Sequence, residues 1–145
     1  MDFIFEKEEY YKFIAEAYGE AEETINSFRE LDKNWDSYKA KPIDPDAIEL
    51  AKIIVKYVID FLVEFPFAIF PTADGGISIQ IEFVEDRQDI SRMLLIDIYK
   101  DKIKLFLHED TTETSEFKKI TQIKDLVEIK NYLNKEFKYY GKYND

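Results

Sequence analysis

The sequence contains no cysteine among its 145 residues. This absence excludes disulfide bonds, thiol catalysis and every metal site built on thiolates. The absence of cysteine agrees with a reducing environment. The first residues also lack the basic and apolar segments of a signal peptide. We therefore expect a cytoplasmic protein.

Histidine is nearly absent as well, because His108 is the single one. Serine and cysteine triads need a histidine base, and a zinc site generally needs more than one such ligand. A lone histidine beside Glu109 and Asp110 at a strand end is more often structural than catalytic. The chain also has no glycine-rich phosphate loop. The sequence therefore predicts no catalytic residue, no metal and no cofactor, and it favours a protein without enzymatic activity.

An uninterrupted apolar run is also missing. The longest apolar stretch, Ile48 to Phe70, is broken by five charged residues, which are Glu49, Lys52, Lys56, Asp60 and Glu64. A segment with this many charges is not a membrane span, so we expect no membrane partner.

Basic residues are in deficit, with 20 lysines and arginines against 31 carboxylates and a formal net charge of −11. Such a surface repels nucleic acid and anionic membranes. Residues 2–32 hold ten carboxylates and three bases, whereas residues 117–145 hold seven lysines and four carboxylates. We expect a protein partner, and a basic one, rather than nucleic acid. A solvated helix face explains the same charges without any partner.

Apolar residues make up 46% of the chain, enough for one folded domain over residues 1–145 with a frayed tail after about residue 140. From about Lys7 to Leu31 they recur at steps of three and four, which predicts a first helix. Asp44 and Pro45 are typical of a helix start, and Pro66 of a helix end. The sequence therefore predicts two helices before residue 66.

After Pro66 the apolar period changes to two, which predicts strands. They are expected at residues 67–70, 77–83, 92–100 and 103–107, with a short edge strand at 117–120. Asp74-Gly75-Gly76 is a tight-turn sequence between the first two strands. Thr121 is expected to cap a last helix, whose apolar stripe is Leu126, Ile129, Leu133 and Phe137.

This order of elements predicts an α+β fold. It consists of two N-terminal helices, an antiparallel four- to five-stranded β-meander and a C-terminal helix. Short turns between consecutive strands favour the meander, and the apolar stripes of the helices favour packing on one face of the sheet.

Five residues stand out as candidate binding residues: Trp35, Asp36, Tyr38, Asp74 and Glu82. The tryptophan and the tyrosine lie in a loop without regular period, where a tryptophan either plugs the core or forms a recognition surface. The three carboxylates lie in or beside loops, and any two of them brought together could hold a hard cation or act as an acid–base pair. Turn geometry and strand alternation explain the same carboxylates without any chemistry.

Two motifs resemble the signature of a widespread family of small uncharacterised bacterial proteins. The first is Asn34-Trp35-Asp36-Ser37-Tyr38 with Ala40 and Pro42-Ile43, followed by a helix. The second is Pro71-Thr72 with Asp74-Gly75-Gly76 and the strand after it. The family pattern commonly has glycine at Lys39 and Glu-Trp at Glu82-Phe83. The resemblance covers about residues 30–83 and implies that the loop, the second helix and the hairpin form one packed unit; it implies no activity.

Three functions are compatible with these features. The acidic first helix favours a non-enzymatic interaction protein, an antitoxin-like, inhibitory or regulatory partner of a basic protein. A homo-oligomeric structural or ligand-binding domain, such as a homodimer, would use the outer sheet face with Ser78, Gln80 and Glu82. A metal-assisted hydrolase would use Asp36, Asp74 and Glu82. The interaction protein is favoured, and the hydrolase ranks last.

Overall fold

The computed structural model describes residues 3–62, 67–85, 90–110 and 115–123, together with residue 131. The two helices are α1 (Phe3–Ser27) and α2 (Pro45–Leu62), and a short 3-10 helix, Phe28–Glu30, follows α1. The strands are β1 (Phe67–Pro71), β2 (Ile77–Glu85), β3 (Ile90–Ile98), β4 (Ile103–Asp110) and β5 (Ser115–Ile123). The predicted α+β class is confirmed.

The start of α2 follows from its first three residues. The Asp44 side chain accepts a hydrogen bond from the backbone N–H of Asp46 at 2.8 Å, which is the N-cap contact that the sequence predicts. Pro45 occupies the first helical position, where its missing N–H costs nothing. The predicted end at Pro66 lies outside the described residues.

The strands form one antiparallel sheet in the order β1-β2-β3-β4-β5, so each strand pairs with its neighbour in sequence. Ile79 of β2 lies opposite Ile69 on one side and Ile96 on the other. Leu105 of β4 lies opposite Ile96. Because directly opposed residues of antiparallel strands share a face, these residues form an apolar row across the sheet.

The buried residues form a cluster that draws on both helices and on the three central strands. From the helices it includes Ile14, Ala21, Ile25, Ile48, Ala51, Ile54, Val55, Val58 and Ile59. From the strands it includes Ile77, Ile79, Ile81, Leu94, Ile96, Ile98, Ile103 and Leu105. Helix α1 contacts α2 and β1, and α2 contacts β2 and β3. The inward row of each central strand is thus isolated from water.

Several predicted boundaries differ from the structure: α1 begins at Phe3 and ends at Ser27, β1 ends at Pro71, and β2 and β4 extend to Glu85 and Asp110. Strand β3 begins at Ile90 instead of residue 92 and ends at Ile98. Strand β5 is longer than the predicted 117–120 segment, and Thr121 lies within it, opposite Leu105. Thr121 therefore does not cap a helix, because its backbone belongs to the β4–β5 ladder and a β-branched residue suits a strand. The rest of the predicted C-terminal helix, with Leu126, Ile129, Leu133 and Phe137, lies outside the described residues, as does the predicted frayed tail.

Neither helix, as far as the structure describes the chain, is long and apolar enough to cross a membrane.

Two neighbouring isoleucines of α2 offer a matched test of this core. Ile54 is 0% exposed, whereas Ile53 is 44% exposed. We expect Ile54→Ala to lower the free energy of unfolding by about 2–5 kcal/mol, because it deletes buried methyl groups and leaves a cavity. Ile53→Ala changes the same atoms on the same helix and is expected to stay within about 0.5 kcal/mol. Urea unfolding followed by circular dichroism measures both, and equal losses would contradict the placement of the core.

Candidate functional site

The loop between the 3-10 helix and α2 is held together by two of its own side chains. The Asp36 carboxylate accepts hydrogen bonds from the backbone N–H groups of Tyr38 at 2.8 Å and Ala40 at 3.0 Å. The Asn34 side chain accepts one from the N–H of Lys39 at 2.7 Å. The Asp36 carboxylate therefore stabilises the loop conformation. Turn geometry, the alternative to a cation or acid–base site, explains this residue.

Three non-glycine residues of this loop have left-handed backbones: Asn34 at φ 65°, Ser37 at 65° and Lys39 at 68°. A lysine side chain rarely adopts such a conformation, and glycine adopts it easily. Glycine at position 39 would therefore adopt the same backbone without strain. The lysine keeps the same backbone here because the Asn34 side chain and the surrounding loop hold it.

The two aromatic residues of the loop have different environments. Trp35 is half-buried and packs against the hydrophobic core, and its indole N–H donates a hydrogen bond to the backbone carbonyl of Lys41 at 2.8 Å. Tyr38 is 86% exposed. Trp35 thus anchors the loop to the core, while Tyr38 projects from it.

Two backbone hydrogen bonds join this loop to the β1–β2 hairpin. The N–H of Lys41 donates to the carbonyl of Ala73 at 2.8 Å, and the N–H of Asp44 donates to the carbonyl of Gly75 at 3.0 Å. The expectation that loop, second helix and hairpin form one packed unit is confirmed by these contacts. We call this contact region the loop–hairpin junction.

Thr72 organises the hairpin turn. Its hydroxyl donates to the Asp74 carboxylate at 2.5 Å and accepts from the N–H of Gly76 at 2.9 Å. Gly75 has a left-handed backbone at φ 92°, which a glycine adopts without strain. A Cβ atom on Gly76 would lie 2.7 Å from the carbonyl oxygen of Ile98 and 2.8 Å from the ring of Tyr99. The turn is thus pressed against the β3–β4 end of the sheet.

The Asp74 carboxylate and the Tyr99 hydroxyl are hydrogen-bonded partners. Partial burial raises the pKa of Asp74, but hydrogen bonds from the Thr72 and Tyr99 hydroxyls and the charge of Lys104 oppose it, and the pKa lies below its usual value. Burial, followed by the Asp74 charge, raises the pKa of Tyr99 to about 12. At neutral pH the carboxylate is ionised and the phenol keeps its proton, which it donates to Asp74.

A groove of about 380 Å³ opens at the junction. Its lining comes from the loop, the hairpin and the β3–β4 turn: Lys41, Pro42, Asp44, Asp74, Gly75, Tyr99, Lys100, Asp101, Lys102 and Lys104. We call it the lysine groove. The sequence identified Asp74 but not the lysines or Tyr99. Charged residues at a hairpin end are usually solvated, and only the fold shows that these lie against the loop.

Glu82 lies apart from this groove. It is exposed on β2 and borders a separate depression with Phe67, Ala68 and Gln80. Six strand positions beyond Gly76 correspond to about 20 Å, so Glu82 and Asp74 do not share a cation. Among the described residues, no group of three or more acidic or histidine side chains is placed to hold a metal ion.

The polar residues of the outer sheet face bond to one another. The Ser78 hydroxyl donates to the Asp97 carboxylate at 2.8 Å, and the Gln80 amide donates to the Met93 sulfur at 2.8 Å. His108 is half-buried and lies opposite Met93 in the β3–β4 register. These pairs stabilise the sheet and leave no convergent set of reactive groups on the part of this face that is described.

The outward side of α1 is a second candidate surface. Residues at steps of three and four share one side of a helix, and five exposed residues of α1 follow this spacing. They are Glu9, Phe13, Glu16, Glu20 and Glu23. We call them the α1 strip. Phe13 is 53% exposed, so a large apolar ring lies in the open among four carboxylates.

Comparisons of the chain with models of protein families, with curated proteins and with solved structures found no match. The similarity of the two motifs to the small bacterial family therefore stays a prediction.

The contacts of Gly76 predict a sharp difference between two glycines. We expect Gly76→Ala to destabilise the protein by about 1–3 kcal/mol or more, because the new methyl group collides with the Ile98 carbonyl and the Tyr99 ring. Gly19, in α1, has nothing within 4 Å of an added Cβ. Gly19→Ala is therefore expected to stabilise the protein by about 0.5–1 kcal/mol. Thermal unfolding of both variants measures the contrast, and a neutral Gly76→Ala would refute the close packing of the turn.

The contacts of Asp74 predict its titration. We expect the Asp74 carboxyl to titrate below 3.8 in carbon-detected NMR spectra of the folded protein. Thr72→Val removes a hydroxyl donor to the charged form and should move the midpoint upward. Since the folded pKa is lowered, Asp74 stabilises the fold above the unfolded pKa of about 3.9, and this contribution is lost as the pH falls through the folded value. A wild-type midpoint above 3.8 would contradict the assignment.

Proposed function

We propose that this protein is a non-enzymatic interaction protein that binds a basic protein through the α1 strip, and acts on that partner as an antitoxin-like, inhibitory or regulatory protein. The observation that carries the proposal is the exposed Phe13 ring among the four glutamates of the strip. The cytoplasmic location expected from the absence of cysteine belongs to the same proposal.

The glutamates of the strip have no structural use among the described contacts. The ion pairs found there engage Glu22 with Lys56, and Glu49 with Arg29 and Lys52. None engages a glutamate of the α1 strip. Glu16 and Glu20 are four residues apart, a spacing at which like charges destabilise a helix by a few tenths of a kcal/mol. No described salt bridge offsets the repulsion between these two glutamates. Their carboxylates are therefore available to a partner of opposite charge.

The strip also specifies the chemistry of the partner. An exposed aromatic ring supplies apolar contact area and is a frequent hot spot once a pocket on the partner closes over it. Surrounding carboxylates steer and orient a surface rich in lysine or arginine. The expected partner surface is therefore an apolar pocket rimmed by basic residues, and association should weaken as salt screens the rim.

The alternatives have weaker support. The outer-sheet-face hypothesis for a homo-oligomer needs free polar groups, whereas the side chains of Ser78 and Gln80 both donate hydrogen bonds to residues of β3. The metal-assisted hydrolase needs convergent carboxylates, whereas Glu82 lies in a different depression from Asp74. A homodimer that buries the α1 strip is the outcome that would replace the present proposal.

A photo-crosslinking amino acid at position 13 tests the proposal in cells of the native host. We expect it to capture a basic protein, and the same amino acid at the exposed position 38 to capture that protein much less. In pull-downs at low salt, Phe13→Ala and the double variant Glu16→Gln/Glu20→Gln should each weaken retention of the captured protein by about threefold to tenfold.

The double variant Glu30→Gln/Asp32→Asn is the matched control, because it removes two exposed charges outside the strip. It should retain the partner within about twofold of wild type, since distant surface charges contribute little. Equal losses in both double variants, capture of a second copy of this chain alone, or binding that ignores salt would overturn the proposal. Light scattering of the purified protein identifies the homodimer directly.

A further inference from the structure

We propose that the lysine groove binds a small ligand through a phosphate group in its dianionic form. This site lies at the loop–hairpin junction and is independent of the α1 strip. It makes the protein a receptor for a phosphorylated small molecule in addition to the protein partner proposed above.

Lysines outnumber aspartates in the lining of the groove, and the charge of Lys104 acts on Asp74. Lys41, Lys100, Lys102 and Lys104 line the groove, and no ion pair among the described residues engages any of them. The chain carries a net charge of −11, so carboxylate partners are plentiful. Four lysines from two separate segments and three aspartates line the groove, so its lining carries one net positive charge in a protein of net charge −11.

Tyr99 positions two of these ammonium groups. The Nζ atom of Lys102 lies 5.4 Å from the centre of the Tyr99 ring, and that of Lys104 lies 5.7 Å from it. Because Lys102 and Lys104 are two residues apart at the start of a strand, their side chains lie on the same side of the sheet. A contact of this kind contributes about 0.5–1 kcal/mol and orients a cation without neutralising it.

Two of the three carboxylates of the groove accept hydrogen bonds from uncharged groups. Asp44 accepts the N–H of Asp46 as the cap of α2. Asp74 accepts hydrogen bonds from the Thr72 and Tyr99 hydroxyls. The third carboxylate, Asp101, is exposed at the tip of the β3–β4 turn. Hydrogen bonds from uncharged donors fix Asp44 and Asp74 but leave their negative charges, and the lysines of the lining exceed the aspartates by one charge.

Size and charge identify the ligand class. A volume of about 380 Å³ is at the lower end of the range for small-molecule sites and is too small for a folded partner. Lysine binds phosphate as a point charge, and several lysines together favour a dianion over a monoanion. Charges beyond about 8 Å are largely screened at physiological ionic strength, so the net positive charge of the lining outweighs the carboxylates elsewhere on the protein.

Phenyl phosphate is the probe that tests this inference, and benzoate, which carries one charge on the same ring, is its control ligand. We expect saturable binding of phenyl phosphate in a titration followed by amide NMR signals, with the largest shifts at residues 41, 75 and 99–104. Benzoate should bind at least about tenfold more weakly, because it offers one charge and two acceptor oxygens.

Two double variants of the full chain separate the groove from general electrostatics. Lys102→Gln/Lys104→Gln should weaken phenyl phosphate binding at least about tenfold, the equivalent of one charge-assisted hydrogen bond. Lys12→Gln/Lys33→Gln removes two exposed charges that do not line the groove. This control should change the affinity for phenyl phosphate by less than about twofold. Lys41→Gln, a single change at an exposed loop residue, checks the result if the first variant unfolds.

Three results would overturn the inference. They are the absence of saturation by wild type at about 10 mM phenyl phosphate, equal binding of benzoate, and equal losses in the groove and control variants. None of these results affects crosslinking at position 13. Failure of phosphate binding at the groove therefore leaves the proposed protein partner untouched, and the crosslinking experiment tests that partner separately.

Discussion

The structure depends on two backbone hydrogen bonds that join distant parts of the chain, from Lys41 to Ala73 and from Asp44 to Gly75. Each contributes about 1 kcal/mol net, and their larger effect is geometric. They fix the start of α2 against the first hairpin of the sheet, and they leave Lys41 and Asp74 on the wall of one groove. Without them the Trp35 loop would be an ordinary connection between two helices.

The α1 strip and the lysine groove carry charges of opposite sign. The α1 strip presents carboxylates that no described ion pair engages, and the lysine groove presents ammonium groups that no described ion pair engages. A chain with both signs available could pair them within itself, as Arg29 pairs with Glu49. Because the fold places the strip and the groove on different elements, each keeps its charge.

Much of the fold was predictable because its signals are local. The cap at Asp44 and the turn at Gly75 are set by residues within a few positions, and the alternation from Ile77 onward identifies β2. The extent of β5 was not predictable, because Thr121 is a good helix cap and also a good strand residue, and pairing with Leu105 decides between them.

The sites were predictable only in part, for a related reason. Asp36 and Asp74 were identified as unusual loop carboxylates, and the hydrogen bonds that explain them join near neighbours. Tyr99 and Lys104 carried no signal of their own, since a tyrosine and a lysine at a hairpin end are common. Their role arises from tertiary contact with the hairpin turn more than twenty positions earlier in the chain, where Tyr99 lies against Gly76 and the charge of Lys104 acts on Asp74.

The hydrogen bond from Asp44 to Gly75 also has a consequence for folding kinetics. The residue that caps α2 is held by a turn that is made 31 positions later, after the helix and β1 have been synthesised. Helix initiation is the costly step of helix formation, and closing a loop of this length adds its own entropic barrier. The first turn of α2 and the β1–β2 hairpin therefore stabilise each other, and we expect substitutions at this contact to slow folding if the two dock in the rate-limiting step.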